Sequence, residues 1–269
     1  MLLEPSQYST SNFLGILKSE YPDLVKLDVD PSLINSWRNN GLNALEGTTI
    51  VATVYEDGVV IAGDRQATAG FQVGERRIQK VFDVDEHSAI AVAGVASICI
   101  EMAKLFQVQV EFYEKIEGTF LSLEGKANYL SNMLRSNLQL AVQGLVVIPI
   151  FAGYDLSRKC GHIYKYDIAG GRYEQEDYDA EGSGGKDARS SLKKLYRPDM
   201  SREDILKIVV AALWDAADED LGTAGPDLLR NIFPTIKTIT HSGVEDVDES
   251  EIKDLFTDLF EQLSKQLSK

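Results

Sequence analysis

The chain has little of what marks secreted or metal-binding proteins. It carries only two cysteines, Cys99 and Cys160, in its 269 residues. Two cysteines in unlike contexts do not form a disulfide framework, so we expect a reducing, cytoplasmic setting. The three histidines lie far apart without ligand spacing, and we therefore predict no metal site and no cofactor.

Long apolar runs and an excess of positive charge are also missing. No stretch of about 18 apolar residues is present, so we predict no transmembrane helix and no membrane partner. The first residues, MLLEPSQYSTSNFLG, lack a basic n-region and do not resemble a signal peptide. The 27 Lys and Arg residues are outnumbered by 42 Asp and Glu, and the net charge of −15 argues against a nucleic-acid partner.

What the chain does have is a sharp change of composition at Gly47-Thr48-Thr49. Residues 1–47 mix Asn, Ser and Asp with scattered apolar residues, and prolines interrupt any long helix. From Thr48 the sequence TTIVATVYEDGVVIAGD is dense in β-branched residues, which is typical of strands. We interpret residues 1–47 as a leader, with a flexible tail of no role as the alternative.

The periodicity of the remaining chain predicts sheets covered by helices. Short runs that are apolar on both faces predict buried strands, and longer runs with apolar residues at helical spacing predict helices. The order is strands, two helices, strands, two helices and a last strand, which predicts an α+β fold built as a four-layer α-β-β-α sandwich. The predicted strands are 49–55, 59–63, 81–84, 89–93, 146–154, 161–168, 172–180 and 233–240. The predicted helices are 95–112, 123–144 and two that start near residues 186 and 201.

Residues 241–269 form a predicted acidic C-terminal extension. Apolar residues recur there at helical spacing and predict an amphipathic helix. The apolar positions are Ile252, Leu255, Phe256, Leu259 and Leu263. We interpret this helix as docked on its own subunit or on a neighbour, and a regulatory tail is the alternative.

A free N-terminal threonine at position 48 would combine a nucleophile with a base. Its hydroxyl attacks, and its α-amine takes the hydroxyl proton. Since a free α-amine has a pKa of about 8, a permanent cation held nearby favours the neutral amine, and N–H donors stabilise the oxyanion. Each candidate for these roles also has a purely structural explanation, as a surface charge or a turn. The candidates are Asp64, Lys80, Gly94, Ser183, Asp220 and Thr223.

Residues 48–240 resemble the β subunits of 20S proteasomes of the actinobacterial type, members of the N-terminal nucleophile hydrolase superfamily. The resemblance is carried by TTIVATVYEDGVVIAGDRQATAG, RRIQKVF, AVAGVAS, GSGG, SSLKKLY and AADEDLGTAGPDLLRNIFPTI. These motifs stand in the family order and at the family spacing. The chain departs from the family pattern at Gly185 and at Thr223, where many relatives have serine. The first departure leaves Ser183 in place, and the second keeps a hydroxyl at residue 223.

The resemblance implies a zymogen and a role for each candidate. The leader would be a propeptide removed by autocatalytic cleavage between Gly47 and Thr48, and Thr48 would then be the nucleophile and its own general base. Lys80 would tune the amine, Asp64 would orient Lys80, and the N–H of Gly94 would bind the oxyanion. The network supporting the amine would be Ser183, Asp220 and Thr223.

The resemblance further implies a substrate pocket and an assembly. An apolar pocket would accept an apolar or aromatic residue before the cut bond, and the backbone would pair with the substrate as an added strand. The pocket would be lined by Ala67, Ile78, Val92, Ala96 and Ile100, and the backbone partners would be Thr68, Gly94 and Ala96. The chain would be a threonine endopeptidase that degrades unfolded proteins inside a barrel-shaped chamber. The implied partners are an α subunit, other β subunits in heptameric rings stacked as α7β7β7α7, a ring-shaped ATPase, and unfolded or tagged proteins.

Three alternatives to this interpretation each require sequence features of their own. The bacterial two-ring protease built from one β-like subunit also begins Thr-Thr-Ile but lacks a segment like GPDLLRNIFPT. A non-catalytic ring subunit would have lost Thr48, Asp64 or Lys80, and all three are present. A P-loop around Gly-Ser-Gly-Gly-Lys is excluded because Ala180 and Asp187 replace the required glycine and hydroxyl residue.

Overall fold

The computed structural model describes residues 47–69 and 72–267. The predicted leader, up to residue 46, lies outside the described residues. Two five-stranded antiparallel sheets occupy the centre of the described chain, and helices cover the outer face of each sheet. The predicted four-layer α-β-β-α arrangement is therefore confirmed.

The first sheet contains the strand that follows Thr48. Its strands, in spatial order, are β10 (Tyr178–Gly182), β1 (Thr49–Tyr55), β2 (Gly58–Gly63), β11 (Thr235–Thr240) and β12 (Gly243–Asp246). Strands β1 and β2 form a hairpin with Ile50 opposite Gly63. Nearly every residue of both strands is buried, which explains why they are apolar on both faces.

The second sheet packs against the inner face of the first. Its strands, in spatial order, are β5 (Val81–Asp85), β6 (Ser88–Gly94), β7 (Val147–Asp155), β8 (Cys160–Tyr166) and β9 (Arg172–Gln175). A separate two-stranded hairpin consists of β3 (Ala67–Ala69) and β4 (Gln72–Glu75). Pro149 lies in the central strand β7, opposite Val92 of β6 and just before the β8 pairing begins at Ile150.

The helices are in two groups, one for each sheet. They are α1 (Ala96–Glu117), α2 (Leu123–Ser136), the short α3 (Leu138–Val142), α4 (Gly185–Leu195), α5 (Arg202–Glu219) and α6 (Glu249–Leu267). The start of α5 is set by Ser201, whose Oγ accepts the N–H of Asp204 at 3.2 Å. Gly118 ends α1 with a φ of 65°.

Three apolar layers hold the sandwich together. Between the sheets lie small and β-branched side chains such as Ile50, Ile61 and Ile150, which are fully buried. Outside the first sheet pack α4, α5 and α6, and outside the second pack α1 and α2. Each large side chain that is fully buried contributes about 1.5–3 kcal/mol of transfer free energy, so the two sheets and their helices stabilise one another.

Several predicted boundaries were wrong. The predicted strand 172–180 is two strands, β9 and β10, which belong to different sheets. The predicted helix 123–144 is interrupted at Asn137, whose N–H bonds to the carbonyls of Met133 and Leu134. The prediction also omitted β3, β4 and β12.

The C-terminal segment contains the predicted amphipathic helix, beginning at Glu249. Ile252 and Phe256 are buried against α5 and its neighbours, and Leu255 and Leu259 pack beside them. The helix therefore packs on the subunit that contains it. The residues between 241 and 249 include β12, which pairs with β11, so the first sheet extends past residue 240.

No helix among residues 47–69 and 72–267 is long and apolar enough to cross a membrane.

Candidate active site

Thr48 lies directly before β1, at the end of the sandwich where several strands and one helix terminate. It is 5% exposed. Its carbonyl accepts the N–H of Ser183 at 2.8 Å. The backbone of Gly182 passes so close that a Cβ there would lie 2.1 Å from the Thr48 carbonyl oxygen. Glycine at position 182 therefore permits β10 to hold Thr48 in place.

The hydroxyl and the backbone nitrogen of Thr48 have separate partners. The hydroxyl donates to the carbonyl oxygen of Gly47 at 2.5 Å. The backbone N–H donates to the Oγ of Ser183 at 3.1 Å, a contact between residues 135 positions apart. Both atoms that a threonine nucleophile would use are thus fixed by hydrogen bonds.

Asp64 and Lys80 form a buried ion pair beside Thr48. Asp64 follows β2 and Lys80 precedes β5, so the ends of two strands in different sheets bring them together. The Lys80 Nζ lies 2.5 Å from Asp64 Oδ1, and the two side chains are 5% and 0% exposed. Lys80 Nζ also donates to the Gly47 carbonyl at 3.3 Å. The pair places a cation next to the bond between Gly47 and Thr48.

The Asp64 carboxylate is saturated by backbone donors as well as by Lys80. Its Oδ1 accepts the N–H of Thr49 at 2.8 Å, and its Oδ2 accepts the N–H groups of Gln66 at 2.9 Å and Ala224 at 3.3 Å. Asp64 therefore connects β1, the segment after β2 and the loop after α5.

Burial and Asp64 act on Lys80 in opposite directions. Desolvation lowers the pKa of the Lys80 ammonium, and the charge and hydrogen bond of Asp64 counteract part of that effect. The thiol of Cys99 lies nearby, and burial raises its pKa to about 12. Cys99 is therefore a neutral thiol.

Ser183, Asp220 and Thr223 form a hydrogen-bonded network on the other side of Thr48. Ser183 Oγ donates to Asp220 Oδ2 at 2.5 Å, and Thr223 Oγ1 donates to the same oxygen at 2.6 Å. Asp220 lies at the C-terminal end of α5. Since Ser183 donates to Asp220, its oxygen is available to accept the N–H of Thr48.

Gly47 occupies a position that only glycine fits. Its φ is 100°, and a Cβ there would lie 2.5 Å from Thr68 Oγ1 and 2.8 Å from the Cα of Gly222. An L-residue at this position would be strained and would collide with its neighbours. Gly94 is constrained in a similar way, with a φ of 123° and the Val146 carbonyl oxygen 2.1 Å from a built Cβ.

The predicted pocket residues come together beside Thr48. One pocket is lined by Ala67, Ile78, Val92, Ala96 and Ile100, together with Gly47, Thr48, Gln79, Lys80, Gly94 and Cys99. Its side chains are mostly small or apolar. Thr68 does not line this pocket, and its hydroxyl faces Gly47 instead. All the predicted site residues therefore lie around Thr48.

Some residues of the site were not predicted. Thr49 bonds through its hydroxyl to Thr223 Oγ1 at 2.6 Å, and Gln66 reaches the Leu221 carbonyl at 3.2 Å. Gln79 and Cys99 line the pocket. Cys99 appeared as an ordinary apolar position of a helix, and no signal in the sequence distinguished the others.

Comparison with known proteins identifies the family. A family model described as proteasome subunit matches residues 44–227.

The chain belongs to the proteasome subunit family.

Two curated proteins named proteasome subunit beta support this assignment. One from Jonesia denitrificans is 54% identical over 209 residues, which are 78% of this chain and 69% of the relative. One from Streptomyces griseus is 46% identical over 258 residues, which are 96% of this chain and 90% of the relative. The family predicted from the motifs is thus confirmed. The proteasome match includes Thr48, Asp64, Lys80 and the Ser183 network, and it ends before α6.

Proposed function

We propose that this chain is the catalytic β subunit of a 20S proteasome core and acts as a threonine endopeptidase. Its family and the name of its relatives support a hydrolytic subunit of a multi-subunit particle. The observation that carries the proposal is the position of Thr48, with its hydroxyl on the Gly47 carbonyl and its nitrogen on Ser183. The Lys80 cation lies beside Gly47 and Thr48.

The first step is removal of the leader, residues 1–47. Before the cut, the Thr48 nitrogen is an amide and cannot serve as a base, so water or a neighbouring side chain takes the hydroxyl proton. The Thr48 oxygen attacks the Gly47 carbonyl carbon, and the bond from that carbon to the Thr48 nitrogen breaks. Lys80 donates to the Gly47 oxygen as negative charge develops there. The group that took the hydroxyl proton returns it to the departing nitrogen, which becomes the free amine of Thr48. Water then hydrolyses the resulting ester, which releases the leader and restores the Thr48 hydroxyl.

The second step is cleavage of substrates by the freed threonine. Its amine must be neutral to accept the hydroxyl proton, and the nearby Lys80 cation favours the neutral amine. Asp64 keeps Lys80 oriented. The amine N–H donates to Ser183, which leaves the nitrogen lone pair for the hydroxyl. The N–H of Gly94 stabilises the oxyanion of the tetrahedral intermediate.

The pocket determines which residue precedes the cut bond. It is lined by apolar side chains such as Ile78, Val92 and Ile100. A charged substrate residue would lose its hydration there without gaining a partner. We therefore propose a preference for apolar or aromatic residues, with Thr68, Gly94 and Ala96 pairing to the substrate backbone as to an added strand. Faster turnover of peptides with an acidic residue before the cut bond would contradict it.

The remaining parts of the proposal concern the assembly. Heptameric β rings would stack between rings of a related α subunit in an α7β7β7α7 particle. A ring-shaped ATPase would deliver unfolded or tagged proteins to the chamber, in the cytoplasm. Large side chains on the surface, such as Leu221, Leu229 and Phe120, are 88%, 93% and 77% exposed and are available for contacts between subunits.

The deciding experiment replaces one hydroxyl and leaves the fold intact. Thr48→Val keeps the shape and branching of threonine and removes the nucleophile. Thr53→Val makes the same change on β1, the strand that Thr48 precedes, at a side chain that is also buried. Each variant is produced together with the α subunit, and intact mass, N-terminal sequencing and peptide hydrolysis are measured.

We expect Thr53→Val to begin at Thr48 and to hydrolyse peptides. We expect Thr48→Val to keep its leader and to be inactive. Cleavage at Gly47 or peptide hydrolysis by Thr48→Val would mean that another residue is the nucleophile.

A further inference from the structure

A second group of chemically active side chains lies on β8 and β9, apart from the Thr48 site. Cys160 is exposed at the start of β8, and His162 follows two residues later on the same face. Cys160 Sγ lies 3.3 Å from His162 Nε2, and His162 Nδ1 lies 2.5 Å from Glu174 Oε1 on β9. A nucleophile, a base and an orienting carboxylate are therefore connected in one line.

The partners assign the protons of this cluster. A carboxylate only accepts hydrogen bonds, so His162 Nδ1 carries a hydrogen and donates it to Glu174. In the neutral ring, Nε2 is then the acceptor, and the thiol of Cys160 donates to it. This is the tautomer that a general base requires, and the carboxylate keeps it in place.

The surroundings hold the imidazole in a fixed orientation and keep the thiol protonated at rest. The ring of His162 stacks on Tyr164, which is buried, with centroids 6.3 Å apart and planes at 12°. Partial burial raises the pKa of the Cys160 thiol, and Asp155 adds to this shift while Arg158 opposes it. A resting thiol of this kind needs a base to react at neutral pH.

We propose that Cys160 is a modification site that exchanges with small disulfides, with His162 as its general base and Glu174 as the residue that positions His162. His162 takes the thiol proton, and the Cys160 sulfur attacks one sulfur of a low-molecular-weight disulfide. The disulfide bond of the reagent breaks, and one half stays on Cys160 as a mixed disulfide. The other half leaves as a thiolate and receives the proton from His162, so the small disulfide is the oxidant consumed.

The experiment measures how fast the full chain forms this adduct. The probe is bis(2-hydroxyethyl) disulfide, which is uncharged, so that the charges of Asp155, Arg158 and Glu174 do not attract or repel it. Adducts are followed by intact mass and assigned by peptide mapping. The proteins compared are the parent chain, which carries no substitution, and the variants His162→Asn, Glu174→Gln and Cys160→Ser. Cys99 is the internal control for folding, because it is 3% exposed and stays unmodified while the chain is folded.

We expect a single adduct at Cys160 that is absent in Cys160→Ser. At pH about 7 the parent chain should react at least about tenfold faster than His162→Asn. A factor of about ten is below the rate enhancement that a general base typically provides. From pH about 7 to 8 the rate of the parent chain should rise less than that of His162→Asn, because the adjacent imidazole takes the thiol proton during the attack. The rate of His162→Asn should rise about tenfold over the same interval, because it depends on the thiolate fraction. Glu174→Gln should be slower than the parent chain and should keep a weaker dependence on pH than His162→Asn.

Two results would overturn the proposal. One is that the parent chain and His162→Asn form the adduct at the same rate and with the same dependence of that rate on pH. The other is a chain that stays unmodified at Cys160 when folded and is labelled there only after unfolding.

Discussion

Asp64 and Lys80 are partners in one ion pair, yet their replacement should have unequal effects. In Asp64→Asn an amide NH2 group takes the place of one carboxylate oxygen. It then faces backbone N–H groups, from Gln66 and Ala224 or from Thr49, which lose their acceptor. Each buried donor left without an acceptor costs about 1–3 kcal/mol, and the Lys80 cation also loses its counter-charge. We expect Asp64→Asn to lower the free energy of unfolding by about 3–5 kcal/mol.

Lys80→Met should be milder because Asp64 keeps its three backbone donors. The loss is one charge-assisted hydrogen bond, about 1.5–3 kcal/mol, and the methionine fills most of the space. In the double variant no buried cation remains, so its unfolding free energy should lie within about 1 kcal/mol of that of Asp64→Asn alone. The order of stability should therefore be the parent, Lys80→Met, and then the other two variants together.

The assay is equilibrium unfolding in urea, followed by circular dichroism, with every variant built on Thr48→Val to keep the chain uncut. The slopes of the transitions should agree between variants, so that midpoints report stability. If Lys80→Met is as destabilising as Asp64→Asn, then the backbone donors do not hold the Asp64 charge. The reasoning from their distances would then be refuted.

Three further predictions concern the active-site network, the C-terminal helix and pH. Ser183→Ala removes the only side-chain partner of the Thr48 nitrogen among the described residues. We expect kcat/KM of the processed enzyme to fall about tenfold to hundredfold, and unchanged kinetics would mean that Ser183 does not support the Thr48 nitrogen. Phe256→Ala should lower the urea unfolding free energy by about 3–5 kcal/mol, whereas the partly exposed Leu263→Ala should cost much less; equal losses would mean that α6 does not dock through Phe256. The folded-state pKa of Lys80 is below its ordinary 10.5, so the unfolded chain binds more protons just below that pH, and Lys80 adds stability as pH rises. The slope of the unfolding free energy against pH from about 9 to 10.5 should be lower in Lys80→Met than in the parent chain. Identical slopes would exclude a lowered pKa for Lys80.

The elements with a strong pattern were predictable from sequence. Strand β1 is almost entirely buried and β-branched, so its sequence leaves few other choices. Strand β4 is fully exposed, with the sequence QVGE, and such a segment has no periodic signal to find. The turn between β9 and β10 was missed because RYEQEDYDA continues one strand-like pattern while the chain crosses from one sheet to the other. That crossing is a property of the tertiary structure.

The site was predictable in its residue types more than in its geometry. Asp64, Lys80 and Ser183 each follow or precede a strand, but single-strand patterns do not reveal which strand ends meet. The family motifs supplied that information. The contact of Thr49 with Thr223 joins residues 174 positions apart, so only the folded chain could reveal it.

The contacts around Asp64 have a consequence for the time at which a newly made chain acquires its activity. The N–H of Ala224 reaches Asp64 across 160 residues, and Ser183 reaches Thr48 across 135. Contacts so distant in sequence form late, because much of the chain must already be ordered to bring them together. On the proposed mechanism, a partly folded chain lacks the arrangement that cuts its own leader. Release of the leader would then act as a checkpoint that prevents an immature protease from attacking neighbouring proteins.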